Sequence, residues 1–296
     1  MRLTVFTPTY NRKELIKRAY ESLRRQSRRD FSWLVVDDGS TDGTEEYIRK
    51  LISEHEGSDD FEISYYYCEN GGKMRAHNRG AEYCKTEWFL CLDSDDMLTD
   101  DAVETIYSAI ESLDAGEYDS SKIAGIVAHK GKSDKELLSG VEFPEGIDYT
   151  TLYGLYLKGF KGETTLVLKT SVLREYPFPE IDGEKYVPED YIYDKIDANY
   201  VFFVLPRILT VCEIVSEGYT ASVRKLKDNN VMAWYLYYEQ RARITPMSVL
   251  KLKYLGFYRV YARKSGNSIS ANHDIPWVHK LLGIPGELWL KLSHKE

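Results

Sequence analysis

Apolar positions in the first 130 residues change period repeatedly, and each change marks an element. Residues 2–7 are a short β-branched run that reads as a strand. Over 12–26, Leu15, Ile16, Ala19 and Leu23 recur at three- and four-residue spacing, which predicts a helix. Residues 31–36 form a buried-type strand, and 44–53 return to helical spacing through Tyr47, Ile48, Leu51 and Ile52. The same reading gives strands over 61–67, 88–92 and 123–128 and helices over 73–84 and 101–113. Strands that alternate with helices of this length predict βαβ units and a mixed, mostly parallel sheet flanked by helices. In such sheets ligands gather at the carboxyl ends of the strands, so the segments that follow the strands are where chemistry is expected.

The remainder is less regular. A helix is predicted over 149–158, a strand over 164–168, a helix over 187–200 after a proline, and a strand over 201–211. From residue 222 the chain reads as helical and basic, interrupted at Pro246. With no internal repeat and no low-complexity linker, the expected organisation is a catalytic body over 1–220 and a helical extension over 221–296. The body comprises a nucleotide-binding half, 1–130, and an acceptor half, 131–220.

Charge sharpens this division. The 296-residue chain has a formal net charge of −8. Residues 1–220 hold 26 basic and 42 acidic side chains, residues 221–265 hold 10 and 2, and residues 266–296 hold 3 of each. An acidic body argues against a nucleic-acid-binding protein. The four cysteines form no CxxC pair and suit a reducing compartment. Met1–Phe6 runs straight into Thr7-Pro8-Thr9 with no apolar leader core or cleavage site, and no run approaches the length of a membrane span. A cytoplasmic location is the expectation.

Two acidic clusters directly follow strands: Asp37-Asp38-Gly39-Ser40-Thr41-Asp42 and Asp93-Ser94-Asp95-Asp96. Carboxylates packed this closely repel one another, and a divalent cation, Mn²⁺ or Mg²⁺, is the expected remedy. A turn with an N-capped helix is the alternative reading of Asp37–Asp42, and Asp42 or Thr44 fits that lesser role. A third segment, Asn70-Gly71-Gly72-Lys73-Met74-Arg75-Ala76-His77-Asn78, follows the third strand and opens a helix. Its glycines permit close backbone approach, and Lys73 and Arg75 put positive charge where a diphosphate would lie.

The order and spacing of Thr7-Pro8-Thr9-Tyr10-Asn11-Arg12, Val36–Asp42, Asn70–Asn78 and Asp93-Ser94-Asp95 resemble the inverting family 2 glycosyltransferases of the GT-A fold. The likeness covers about residues 1–130 and weakens towards 215. There, Gly162–Thr165, Pro177-Phe178-Pro179 and Val187-Pro188-Glu189-Asp190 are similar to bacterial enzymes of cell-surface polysaccharide assembly.

The resemblance implies that Thr7, Pro8, Tyr10 and Arg12 line a nucleobase pocket. It implies that Asp37 or Asp38 accepts a hydrogen bond from the base, that Lys73 and Asn78 lie near the nucleotide with Ser94, that Asp93 approaches the ribose, and that Asp95 ligates the metal. Glu189 and Asp190 are the candidate general bases. His77 departs from the arginine that many members carry, which puts a side-chain role there in doubt. The implied function is metal-dependent transfer of a sugar from a nucleotide-diphosphate sugar, with uridine favoured, to a glycan or polyprenyl-linked acceptor.

The alternatives are a sugar-1-phosphate nucleotidyltransferase and a degenerate glycan-binding module. The first lacks its glycine-rich N-terminal loop here, since Pro8-Thr9-Tyr10-Asn11 stands in its place. The basic extension, with Trp234, Tyr235, Tyr237 and Tyr238 and then Trp277 and Trp289, reads either as peripheral contact with the inner face of the membrane or as helices packed on the body or on a homodimer partner.

Overall fold

The computed structural model describes residues 1–57, 61–116, 118–212, 223–269 and 275–292. Residues 213–222, where the expected body passes into the tail, lie outside the described residues. The chain divides into two compact units. One comprises Met1–Pro177 and Ile192–Ser216, and the other comprises Phe178–Tyr191 and Glu217–Glu296. The loop containing Glu189 and Asp190 therefore belongs with the C-terminal helices, whereas the expected boundary at 220 kept it with the preceding segment.

The first unit is built on one sheet. Four parallel strands, β1 (Leu3–Thr9), β2 (Phe31–Asp37), β3 (Glu62–Tyr67) and β4 (Trp88–Cys91), lie in the order β3-β2-β1-β4. They alternate with α1 (Lys13–Arg24), α2 (Thr44–His55) and α3 (Lys73–Tyr83). The sheet continues through β5 (Asp96–Leu98), β6 (Ile123–Gly131), β8 (Thr164–Lys169) and β9 (Val201–Cys212), in the order β4-β8-β6-β9-β5. A two-residue β7 (Tyr149–Thr150) pairs with β9. Pairing across this second half is antiparallel except between β6 and β9.

All seven residues of β1 are buried, as a central parallel strand requires. One apolar layer, including Ile16, Leu23, Trp33, Ile48 and Ile106, covers one face, with α4 (Ala102–Ala115) packed there. The second layer holds Phe6, Val36, Phe89, Val127 and Phe202, with α5 (Leu152–Leu157) and α6 (Thr170–Glu175). Helix α3 lies close against β1. A Cβ at Gly80 would penetrate the ring of Phe6, and His77 packs edge-on to Phe6 and Phe89 at ring-centre distances of 5.7 and 5.3 Å. Position 77 is thus an aromatic core position, and a buried ring suffices there.

α7 (Asp190–Ile196) begins in the second unit and ends in the first. It is shorter than the helix expected over 187–200. The second unit contains α8 (Val223–Asn229), α9 (Val231–Ile244), α10 (Val249–Lys264) and α11 (Trp277–Leu292). Pro246 falls in the turn between α9 and α10, as its missing N–H dictates. Tyr238, Leu255, Phe257, Tyr258, Tyr261 and Leu290 form this unit's own core. Among the described residues, no helix is long and apolar enough to cross a membrane.

Candidate active site

Because β1 to β4 run parallel, the segments that follow them emerge at one edge of the sheet. Side chains tie them to one another. After β1, Asn11 adopts a left-handed backbone (φ 50°), its N–H donates to Ser40 Oγ at 2.8 Å, and its side-chain oxygen accepts the Thr41 N–H at 2.8 Å. Asn tolerates this conformation better than most residues. Asp42 accepts from the Lys13 N–H at 2.9 Å and from the Thr44 N–H and hydroxyl. Burial opposes ionisation of Asp42, but these donors hold its carboxyl below the usual aspartate range. Asp42 thus takes the first amide of α2 from just outside the helix, whose N-cap residue is Gly43, and Thr44, the first helical residue, donates to it.

Asp37 and Asp38 build the rim. Asp37 is wholly buried, one oxygen accepting the Ser40 N–H and the other the Tyr65 hydroxyl, each at 2.8 Å. Asp38 accepts the Gly71 and Gly72 N–H groups at 2.7 and 2.8 Å and the Asn70 amide at 3.0 Å, so it fastens the glycine turn to the end of β2. Gly72 sits at φ 97°, a conformation that favours glycine, immediately before α3. Either aspartate is the expected acceptor for a nucleobase, and in this structure both are buried with their carboxylate oxygens engaged by protein donors.

Thr7 and Pro8, expected along a nucleobase pocket, lie within the sheet. Both are buried inside β1, and Thr7 Oγ1 accepts the Trp33 indole N–H at 3.0 Å. Tyr10, next along, is 48% exposed and presents its ring to solvent. Thr9, which the sequence reading passed over, is buried at the end of β1, and its hydroxyl has no hydrogen-bond partner among the described residues. A buried orphan hydroxyl beside a strand end is a polar group awaiting a ligand or water. Asn78 and Ser94 are also buried.

The second acidic cluster is organised differently. Asp93 pairs with Lys73 Nζ at 2.8 Å, Asp95 with Arg12 Nη1 at 2.5 Å, and Asp96 with Lys130 Nζ at 2.9 Å. The repulsion that had been taken to require a divalent cation is thus offset by three basic side chains from three different elements. Arg12, expected beside a nucleobase, is the partner of Asp95.

Lys130 was missed because it lies more than thirty residues away in β6. Its strand neighbour on β9 is Thr210, and Asp96 on β5 faces Cys212 of the same strand. Register shifts on either side of His129 re-aim this stretch. Only the sheet order reveals the pairing.

Burial alone would raise the Asp93 pKa, but Lys73, Lys130 and Arg12 outweigh it and hold Asp93 at about 2. Burial and the Asp93 charge push Asp96 upward against Lys130. Burial also works against the charged form of Lys130, yet Asp96 and Asp93 together raise its pKa.

The chemistry of this donor set fits a hard divalent cation. Asp93 and Asp95 are two residues apart, their side chains are partly exposed, and Mg²⁺-type sites use one or two carboxylates with phosphate oxygens. Among the described residues no three acidic, histidine or cysteine side chains cluster as a ready-made metal cage, so such an ion would need oxygens from a ligand as well.

Glu189 and Asp190 stand in the second unit. Asp190 accepts from the Tyr237 hydroxyl at 3.5 Å and pairs with Arg241 at 3.1 Å. The protein packed around Asp190 raises its pKa and Glu189 adds to the rise, while Arg241 and Tyr237 oppose it. The side chain remains 59% exposed, so solvent screens much of this.

Residues 4–149 match the family model described as glycosyl transferase family 2. The chain is 28% identical over 181 residues to the Campylobacter jejuni GalNAc(5)-diNAcBac-PP-undecaprenol beta-1,3-glucosyltransferase, covering 60% of this chain and 55% of that one. Among solved structures it resembles S. aureus TarS 1–349 in complex with UDP-GlcNAc (TM-score 0.59, 19% identity, 97% of this chain and 79% of that one). It is equally similar to the mannosyltransferase PcManGT from Pyrobaculum calidifontis in complex with GDP-Man and Mn²⁺ (TM-score 0.59, 20% identity, 99% and 79%). The chain spans 16%, 36% and 55% of the first three curated relatives it matches. The mixed sheet with its parallel half is the GT-A fold of these structures, and over residues 4–149 the chain belongs to glycosyl transferase family 2.

Proposed function

We propose that the protein is an inverting, metal-dependent glycosyltransferase that moves a sugar from a nucleotide-diphosphate donor, a UDP-sugar by preference, to a glycan or polyprenyl-linked acceptor in polysaccharide biosynthesis. The observation that carries the reading is the rim itself. Asp93 and Asp95 stand at the carboxyl end of β4 with Lys73 and Arg12 in contact, beside a glycine turn pinned by Asp38. Carboxylates with cations at one strand edge suit a ligand that carries both phosphate and a divalent ion. The UDP-GlcNAc and GDP-Man of the two similar structures support a nucleotide sugar as donor, and the Mn²⁺ of the second supports a divalent ion.

In this reading Asp95 would hold the cation, with Asp93 beside it towards the ribose, and the cation would supply positive charge for the departing diphosphate. Lys73 and Arg12 place further positive charge at the same rim. Tyr10 supplies an exposed ring for the base. Asp190, oriented by Arg241 and Tyr237, takes the proton from the acceptor hydroxyl. Inversion needs no covalent sugar–enzyme bond, so one base suffices. Asp190→Asn is expected to bind donor normally and to lose about 10²- to 10⁴-fold in transfer, the span of general-base contributions. Glu189→Gln serves as its control. If Asp190→Asn transfers sugar at the wild-type rate, the base assignment is wrong.

A further inference from the structure

Helix α11 is turned inside out. Apart from the buried Leu290, its inward positions are small or charged. A Cβ at Gly256 of α10 would lie 2.6 Å from the Gly286 backbone, and one at Gly283 would lie 2.9 Å from the Leu255 carbonyl, so the two helices touch through glycine. The antiparallel seam also contains Glu287, almost wholly buried, which accepts from Arg259 Nε at 2.8 Å and pairs with Arg263. The outward positions are apolar: Trp277 is 70% exposed, Leu288 55%, Leu281 52% and Trp289 49%, and Val278 and Leu282 accompany them. At about 100° per residue these positions sweep roughly 140° of the helix surface, with no acidic residue among them. A solvent-facing helix in a globular protein normally has the reverse arrangement. A face of this kind has a partner.

We propose that α11 lies on an anionic lipid bilayer, with Trp277, Leu281, Leu288 and Trp289 in the interface. Charge selects this occupant. Helix α10 carries Lys251, Lys253, Arg259, Arg263 and Lys264 and no acid, and the one acid of α11, Glu287, is buried and neutralised by two arginines. Lys253, Arg263 and Lys264 are exposed. A basic helix pair with a broad apolar face is drawn to anionic headgroups and held by apolar burial. The two tryptophans suit the headgroup boundary, where a ring is half apolar and half wet. At 1.5 Å per residue, the 16 residues of α11 reach about 24 Å, short of a bilayer core, so the helix lies along the surface. At the α9–α10 turn, Met247 and Val249 are also exposed, at the end of α10 that meets the C-terminal part of α11.

The test is co-sedimentation of the full chain with vesicles of phosphatidylcholine alone or mixed with phosphatidylglycerol, with light scattering on the lipid-free protein. The expected result is partition to the mixed vesicles about tenfold stronger than to phosphatidylcholine, weakening as salt rises. Leu281→Glu with Leu288→Glu, at exposed positions that leave the fold intact by circular dichroism, should lower it by about tenfold or more. Lys253→Glu with Lys264→Glu should remove the preference for anionic lipid. Two results overturn the proposal. One is no retention by anionic vesicles. The other is a lipid-independent dimer that the double glutamate variant splits into monomers, which would assign the face to a second copy.

Discussion

Asp38 and Asp95 each end a strand segment of the same sheet, yet their surroundings give them opposite tasks. Asp38 spends its carboxylate on the Gly71 and Gly72 amides. Asparagine there would turn donors towards donors, so Asp38→Asn should cost about 1–3 kcal/mol, read as a lower urea midpoint. Asp95 faces the Arg12 guanidinium, and an asparagine there keeps an oxygen that can accept the same hydrogen bond. Asp95→Asn should leave the midpoint nearly unchanged and lower transfer by about 10²-fold or more.

Asp93 carries a pH signature. Its folded pKa of about 2 lies below the unfolded value, so its contribution is complete above about pH 4 and is lost as pH falls towards 2. The stability gap between wild type and Asp93→Asn, measured by urea unfolding, should therefore narrow across that window. Asp190 is shifted the other way. As the proposed base it would have to be deprotonated, so transfer should fall in acid at a pH above that of an ordinary aspartate, and Asp190→Asn should abolish that limb of the profile.

The elements explain why much of this was legible beforehand. Parallel βαβ units leave clear marks, and β1 to β4 with α1 to α4 fall on the short strand-like runs and the 3.6-residue patterns of their segments. The rim motifs were legible because each directly follows one of those strands. What was not legible depended on pairing between distant segments. The three-residue β5 has no period to read and exists because it pairs with β9. Lys130 becomes a partner of Asp96 only because β6 and β5 flank that same strand. The acidic loop 178–191 gave no hint that it packs with the C-terminal helices.

Burial likewise reversed expectations within a motif: of Thr7, Pro8, Thr9 and Tyr10, only Tyr10 reaches solvent. Close contact between α3 and β1 gives a test at this scale. Ala is the better helix former by about 1 kcal/mol, yet Gly80→Ala should destabilise by about 1–3 kcal/mol, because its methyl meets the Phe6 ring.

For the whole molecule, the net charge of −8 conceals a sorting of charge by region. The acid surplus of the first 220 residues includes the rim carboxylates, several of them already paired with Lys or Arg, whereas the basic surplus falls within the helices after 221. An anionic donor at the rim would meet positive charge in spite of the acidic average. Removal of divalent ions by a chelator should abolish transfer and leave the urea midpoint unchanged, since Arg12, Lys73 and Lys130 already balance the carboxylates.

The most direct test of the central claim is to incubate the purified chain with a panel of nucleotide sugars, Mn²⁺ and a polyprenyl-linked acceptor, and to identify the phosphate product. The account predicts free nucleoside diphosphate in step with acceptor glycosylation, lost in Asp95→Asn. Release of pyrophosphate, or no product from any donor while the folded protein still binds glycan, would contradict it.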